Sequence, residues 1–241
     1  LARAPAKINI SLLIADKRPD GYHNLETLMA KIAFYDELVF EETKSQKIEL
    51  VCRGNWSPDG KDNLVYKAAE RFYETIGQKP AIRITLTKNI PAGSGLGGAS
   101  SDAATTLLGL NRIYHNKLTE SKLYELCAKL GSDVSFFING PLALCTGRGE
   151  KVEKIDKKFE FSAILVLPDV SISTKKVYES YKVDIGLFNA LSRQIRGYIA
   201  EGKFGLIQKM CANMLAKTCF ALDNRLALFQ VRIHEITQAA V

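Results

Sequence analysis

The 241-residue sequence is poor in several features that would settle its class at once. Its cysteines number five, an odd count, and no two are spaced C-x-x-C. That excludes a disulfide framework and the common zinc sites, and suits reduced thiols in a cytosol. Three histidines lie far apart at 23, 115 and 234, so no histidine metal cluster is expected. No apolar run is long enough to cross a bilayer, and the first residues lack the apolar core of a secretion signal. Blocks of like charge are absent too, and with them a basic or acidic tail. What remains is an ordinary globular composition, 46% hydrophobic and 24% charged, with a net charge of +7. Such a chain can bury a core as one large or two small domains. Its positive charge suits an anionic small molecule and RNA equally well.

Glycine is concentrated where the rest of the chain has little. Four of the 17 glycines fall in Pro91-Ala92-Gly93-Ser94-Gly95-Leu96-Gly97-Gly98-Ala99-Ser100-Ser101-Asp102. Before this stretch, Ile82 to Lys88 alternates as a β-strand does. After it, Ala103 to Leu110 reads as a helix rich in small residues. Glycines between a strand and a helix N-terminus, followed by two serines, form a cradle for phosphate. A P-loop would need Lys and Ser/Thr after the last glycine, and Ala99 stands there. Gly93, Gly95 and Gly98 fit the dinucleotide pattern, but the region near Glu120 opens a helix where that pattern wants a strand. A protein-kinase glycine loop would need a downstream His-Arg-Asp, which does not occur. A tight turn without a ligand needs fewer glycines.

The remaining elements follow from periodicity. Ala6–Ala15 reads as a strand with Ile8, Ile10, Leu12 and Ile14 on one face and Lys7, Asn9 and Ser11 on the other. Leu38–Phe40 and Ile48–Cys52 read as strands around a polar turn. Asp62 caps a helix with Val65, Ala68, Ala69, Phe72 and Ile76 inward, and Gly77 closes it. The helix after the glycines runs to about Tyr114. Thr119 caps another, which Gly131 ends. Leu142–Cys145 is a short strand, Val152–Phe161 a polar boundary region, and Ala163–Leu167 a buried strand. A helix then holds Tyr178 and Tyr181. Helices follow over Leu187–Ala200, Phe204–Phe220 and Leu226–Thr237, the last with a core stripe of Leu226, Phe229, Ile233 and Ile236. By pattern alone, Lys7 is a solvated lysine, His23 a surface histidine, Leu64 a core leucine and Tyr178 an amphipathic-helix aromatic. Asp133 on the same footing is an N-cap after a helix stop.

Pro91-x-x-x-Gly95-Leu96-Gly97-Gly98-x-Ser100-Ser101-Asp102-Ala103-Ala104 resembles the ATP loop of the GHMP kinases, the galactokinase, homoserine and mevalonate kinase superfamily. Pro5-Ala6-Lys7-Ile8-Asn9, Arg18-Pro19-Asp20-Gly21-Tyr22-His23 and Gly131-Ser132-Asp133-Val134-Ser135-Phe136-Phe137 resemble further segments of one branch, which acts on a cytidine diphosphate-linked methylerythritol. The likeness runs from about residue 3 to about residue 180. It implies an α+β fold of two domains: a ribosomal-protein-S5-like ATP-binding and catalytic domain over residues 1–155, with a left-handed β-α-β crossover, and a smaller α+β substrate lid over 156–241. It implies phosphoryl transfer from ATP with Mg²⁺ to the 2-hydroxyl of that substrate. Asp133 would take the hydroxyl proton and Lys7 would keep Asp133 ionised. Pro91, Gly93, Gly95, Leu96, Gly97, Gly98 and Ser100 would hold the nucleotide, with Ser101 at the γ-phosphate or metal and Leu64 near adenine. Asn9, Tyr22, His23, Thr174 and Tyr178 would hold the cytidine substrate, Tyr22 by stacking and His23 at the polar edge of the base.

The same resemblance leaves rivals. An S5-like, basic chain could bind RNA and catalyse nothing. Another kinase of the superfamily, for homoserine or mevalonate, would share the loop, though the Tyr22, His23 and Tyr178 aromatics argue for a substrate that contains a base. The expected partner is therefore a small molecule rather than nucleic acid or membrane, and the expected state a monomer or weak homodimer. The superfamily also carries a second, Gly-Ser-Gly loop near its C-terminus. Here the last glycine is Gly205. The expectation is a chain truncated before that loop.

Overall fold

The structure is a computed structural model that describes every residue except 55–57, 59, 158, 171, 211 and 238–241. Cys211, Ser171 and the Lys158 of the expected boundary lie outside the described residues. The fold is α+β. Six strands form one mixed sheet: β1 (Ala2–Lys17), β2 (His23–Glu42), β3 (Ile48–Arg53), β4 (Ile82–Thr87), β5 (Leu142–Gly147) and β6 (Lys151–Lys154). The order is β3-β4-β2-β5-β6, with β1 also paired to β2. Nine α-helices are described: α1 (Leu64–Ile76), α2 (Gly98–Ile113), α3 (Glu120–Leu130), α4 (Val134–Ile138), α5 (Thr174–Ser180), α6 (Ile185–Glu201), α7 (Phe204–Met210), α8 (Ala216–Leu222) and α9 (Asn224–Thr237).

The chain divides into two compact units that alternate along it. The first comprises Leu1–Ile8, Ala30–Ala143 and Glu150–Lys154, the second Asn9–Met29, Leu144–Gly149 and Ile155–Val241. In the first unit, β3 and β4 run parallel with α1 between them in sequence, and β4 runs antiparallel to β2, Leu38 opposite Leu86 and Phe40 opposite Ile84. The expected hairpin of the second and third strands is thus not formed. β4, distant in sequence, lies between them, a pairing that no local turn signal encodes. α1 buries Val65, Ala68, Ala69 and Phe72 as its periodicity requires. Its cap is Asn63 rather than Asp62: the Asn63 Oδ1 accepts from the Val65 N–H at 2.9 Å, and its amide donates to the Pro58 carbonyl. α2 is buried on most of its surface and packs on α1 and α4, which is why its residues are small.

β1 is covered on both faces, so the expected division into apolar and polar sides fails. Lys7 and Ser11 are buried, while Ile8 and Ile10 are only half-buried. β6 falls in a stretch too charged to read as a strand.

In the second unit, Ile14 packs with Val177 and Leu215. The helix expected over 204–220 is two helices, α7 ending at Met210 and α8 starting at Ala216, and between them Asn213 bridges Leu12: the Leu12 N–H donates to the Ala212 carbonyl and the Met214 N–H to the Leu12 carbonyl. Ala163–Leu167 forms no strand and is exposed, Ile164 by 85%. An apolar run cannot supply its own partner strand, and none is described beside it. The α9 stripe is likewise not core. Phe229 and Ile236 are exposed and Leu226 and Ile233 half-buried, because the helix has apolar residues on several sides and α8 as its main neighbour.

Candidate active site

The glycine loop closes on itself before it enters α2. The Ser94 hydroxyl donates to the Pro91 carbonyl at 2.7 Å and accepts from the Leu96 N–H. Gly97 is the N-cap of α2 at φ 72°, with no side chain to bond the first turn. The helix therefore opens, with its N–H groups and dipole, onto a cleft of about 230 Å³. Pro91, Gly93, Gly95, Gly97, Gly98 and Ser100 line that cleft, as does Leu64. Two expected loop contacts do not. Leu96 turns inward beside Ala6 and Ile90 and offers its carbonyl to the Lys7 N–H at 2.9 Å. Ser101 is fully buried, and among the described residues its hydroxyl has no hydrogen-bond partner.

Lys7 and Asp133 meet. The Lys7 ammonium lies 3.5 Å from the Asp133 Oδ2, with the lysine side chain 8% exposed and the aspartate 32%. Lys7 is a buried cation, not a solvated one, and it sits against the loop: a Cβ on Gly97 would stand 3.0 Å from the Lys7 Cγ and from the Phe137 Cζ. Asp133 occupies the N-cap position of α4, but its side chain makes no capping bond. Its carboxylate is directed to Lys7 instead of to the helix.

Four further charged residues of this unit were not picked out from sequence. The Lys88 ammonium, in the cleft wall, bridges Asp36 and Asp102, the latter at 2.8 Å, and all three side chains are almost fully buried. Asp36 also accepts from the N–H groups of Asn89 at 2.6 Å and Ile90 at 2.8 Å, which fixes the approach to the loop. Burial pushes the Asp102 carboxyl up to about 7, Lys88 opposing the rise and Asp36 adding to it. The fourth residue, Lys31, donates to the carbonyls of Phe137, at 3.0 Å, and Asn139. Burial draws its ammonium down to about 8. Asp102 stood inside the loop motif, so a signal existed. Asp36 and Lys31 lie in an ordinary strand and carry none.

The expected substrate residues fall in the second unit. Asn9 donates to the Thr27 hydroxyl at 2.6 Å, which donates in turn to the Ser11 carbonyl. His23 is buried, with Nδ1 3.1 Å from the Ala15 carbonyl. A carbonyl only accepts, so Nδ1 carries a proton in this contact. The His23 ring centroid lies 5.7 Å from that of Tyr178 and 6.3 Å from that of Tyr181. Tyr22 is 55% exposed, its ring under the Arg148 guanidinium at 5.1 Å, and its N–H bonds Asp20. The Arg18 hydrogen bond holds the Asp20 carboxyl below its ordinary range. Thr174 is exposed at the first turn of α5, and Tyr178 is partly packed against the core of this unit. Among the described residues no group of three His, Cys, Asp or Glu side chains is placed to hold a metal, and no helix is long and apolar enough to cross a membrane.

A glycine loop opening onto a helix N-terminus, after a strand of a mixed sheet and beside a Lys–Asp pair, is the arrangement of a GHMP kinase. Residues 63–141 match the GHMP kinases N terminal domain. The chain belongs, more narrowly, to the family of 4-diphosphocytidyl-2-C-methyl-D-erythritol kinases. It is 38% identical over 244 residues to the enzyme of that name from Bacillus licheniformis, covering 100% of this chain and 83% of that one. With the Bacillus subtilis enzyme it shares 40% identity over 214 residues, 89% of this chain and 73% of that one. A crystal structure of 4-(cytidine 5'-diphospho)-2C-methyl-D-erythritol kinase superposes with a TM-score of 0.71 at 31% identity, covering 97% of this chain and 82% of that one. The fold alone extends to homoserine kinase from Cytophaga hutchinsonii, with a TM-score of 0.64 at 18% identity, covering 88% of this chain and 70% of that one.

Proposed function

We propose that this chain transfers the terminal phosphoryl group of ATP to the 2-hydroxyl of 4-diphosphocytidyl-2-C-methyl-D-erythritol. The observation that carries the reading is the Lys7–Asp133 pair seated against Gly97, at the open N-terminus of α2. The α2 N-terminus and the cleft-lining loop residues hold the phosphates, and Leu64 lies in the same cleft for the adenine. Asp133 accepts the proton of the attacking hydroxyl, whose oxygen bonds to the γ-phosphorus as the bond to the β-phosphate oxygen breaks. Lys7 favours the ionised carboxylate and counters charge at the transferred group. Such transfer asks for positioning and charge stabilisation rather than covalent chemistry.

Mg²⁺ supplies neutralisation of the phosphate charge when bound. The lack of a described cluster of acidic residues suits an ion held largely by phosphates and water. Asn9, Tyr22, His23, Thr174 and Tyr178 receive the cytidine end, the His23 Nε2 meeting the amino group of the base. We assign ATP binding and catalysis to residues 1–155, and to residues 156–241 the remainder of the substrate site. Among the described residues Cys52, Cys127, Cys145 and Cys219 form no disulfide, which fits a cytoplasmic protein, and we take it to act as a monomer or weak homodimer.

The test is ADP release with this substrate against homoserine and mevalonate. Turnover should be confined to the first. Asp133→Asn should lower kcat by roughly 10²–10⁴, the usual worth of a general base, with ATP still bound. Turnover close to wild type in that variant would leave the carboxylate no catalytic part.

A further inference from the structure

α4 presents a physical problem. It is five residues long, and its first flanking residue is Asp133. A helix of little more than one turn does not hold itself in water. Its last carbonyls have no partners within the helix, and its dipole leaves them partly negative. Yet this helix must keep Asp133 within reach of Lys7 and keep the Phe137 ring against Gly97. Burial of Val134, Phe136 and Phe137 holds the helix by apolar contact, to which a directional polar contact adds.

Lys31 supplies that contact. Its ammonium reaches from β2 to the far end of α4 and donates to the carbonyls of Phe137, at 3.0 Å, and Asn139. The same ammonium lies 5.8 Å from the centre of the Phe136 ring, within cation–π range. The Lys31 N–H also donates to the Pro141 carbonyl at 2.8 Å, so backbone and side chain grip one short segment. No described carboxylate lies within ion-pair distance of this half-buried cation, and desolvation displaces its titration. A charge kept at that cost, satisfied only by main-chain carbonyls, is a positional device.

We propose that Lys31 is a positioning residue for phosphoryl transfer, clamping the C-terminal carbonyls of α4 and thereby fixing the carboxylate of Asp133 at the opposite end. The inference rests on the reading of Asp133 as the proton acceptor. A shift of the order of 1 Å in a reacting group costs about a hundredfold in rate, so the expected loss is in kcat, with ligand affinity spared.

The experiment is steady-state kinetics, with ATP and 4-diphosphocytidyl-2-C-methyl-D-erythritol, on Lys31→Met, Lys31→Arg, Asp133→Asn and the Lys31→Met/Asp133→Asn double variant. Lys31→Met should lower kcat roughly 10- to 100-fold, and KM for ATP should stay within about twofold. Lys31→Arg, which keeps a charged donor to both carbonyls, should recover most of the loss. In the Asp133→Asn background the Lys31 substitution should cost nothing further, because the group it positions is already gone. If Lys31→Met does not fold, Lys31→Gln, which retains one donor, takes its place in both backgrounds. Wild-type kcat in the single Lys31 variant, a parallel loss of ATP affinity, or an additive loss in the double variant overturns the clamp while leaving the proposed reaction intact. An Asp133→Asn enzyme that turns over normally defeats the reading beneath it, and the clamp with it.

Discussion

Asp102 is a buried carboxyl whose surroundings disfavour its ionised form. Its side chain is 3% exposed, Oδ2 faces Lys88, and Oδ1 has no hydrogen-bond partner. Because the folded chain holds the carboxyl proton up to about pH 7, against 3.8 ordinarily, the group's contribution to stability is complete below about pH 4 and is lost as pH rises to 7. Over that window the slope reaches at most about 1.4 kcal/mol per pH unit. Asp102→Asn keeps the shape of the protonated acid and removes the titration. Urea midpoints of the variant and the wild type should therefore diverge in the variant's favour from pH 4 to 7, and run parallel above that. Parallel curves throughout would assign the ionised form to the native cleft at all these pH values. Residues of this kind mark the limit of reading from sequence. Gly97 and Ser100 of the loop motif line the cleft, since glycine and hydroxyl chemistry is local. That Lys7 is buried, that Ser101 is turned inward and that Asp36 joins Lys88 and Asp102 depends on partners up to 126 positions away, and single-residue chemistry does not encode partners.

At the scale of elements, helices with a stop, a start and one apolar face were legible. α1 and α3 begin and end within a residue or two of expectation, and α2 ends there too, because caps and periodicity are written in consecutive residues; α2 begins at Gly98, ahead of the Ala103 read as its start, because its first turn is built from the loop's own glycine and serines. Elements that need a distant partner were not: the β3–β4 pairing, the break before α8, the unpaired 163–167 run and the exposed face of α9. The junction of loop and α2 offers a test of how far local geometry governs the site. Gly93 and Gly97 both adopt φ +72°, but a Cβ at Gly93 would meet nothing within 4 Å, whereas one at Gly97 would meet Lys7 and Phe137 at 3.0 Å. Gly93→Ala should cost only the left-handed strain, about 1–2 kcal/mol. Gly97→Ala should add an overpacking term of about 1–3 kcal/mol and displace the very groups that hold Asp133. Guanidinium midpoints for the two variants check this, and equal losses would show that Lys7 and Phe137 yield without resistance.

For the whole molecule, the proposed roles divide between the two compact units by residue membership. The loop, Lys7, Lys31 and Asp133 are in the first, and Asn9, Tyr22, His23, Thr174 and Tyr178 in the second. Catalysis and nucleotide affinity should then respond to one set of substitutions and affinity for the cytidine substrate to the other. Tyr178 is the sharpest probe of the second set, because its ring already has a neighbour in His23 and a footing in the core around Ile14 and Val177. Tyr178→Ala should weaken the cytidine-linked substrate by about 1–3 kcal/mol, the scale of stacking between a base and an aromatic side chain. In KM terms that is roughly a 5- to 150-fold rise, and the affinity for ATP, held by the other unit, should barely move. Tyr178→Phe keeps the ring and should stay near wild type. A Tyr178→Ala variant that lost affinity for both ligands alike would make Tyr178 a packing residue of its own core, and the base would have to be read by Tyr22 and His23 without it.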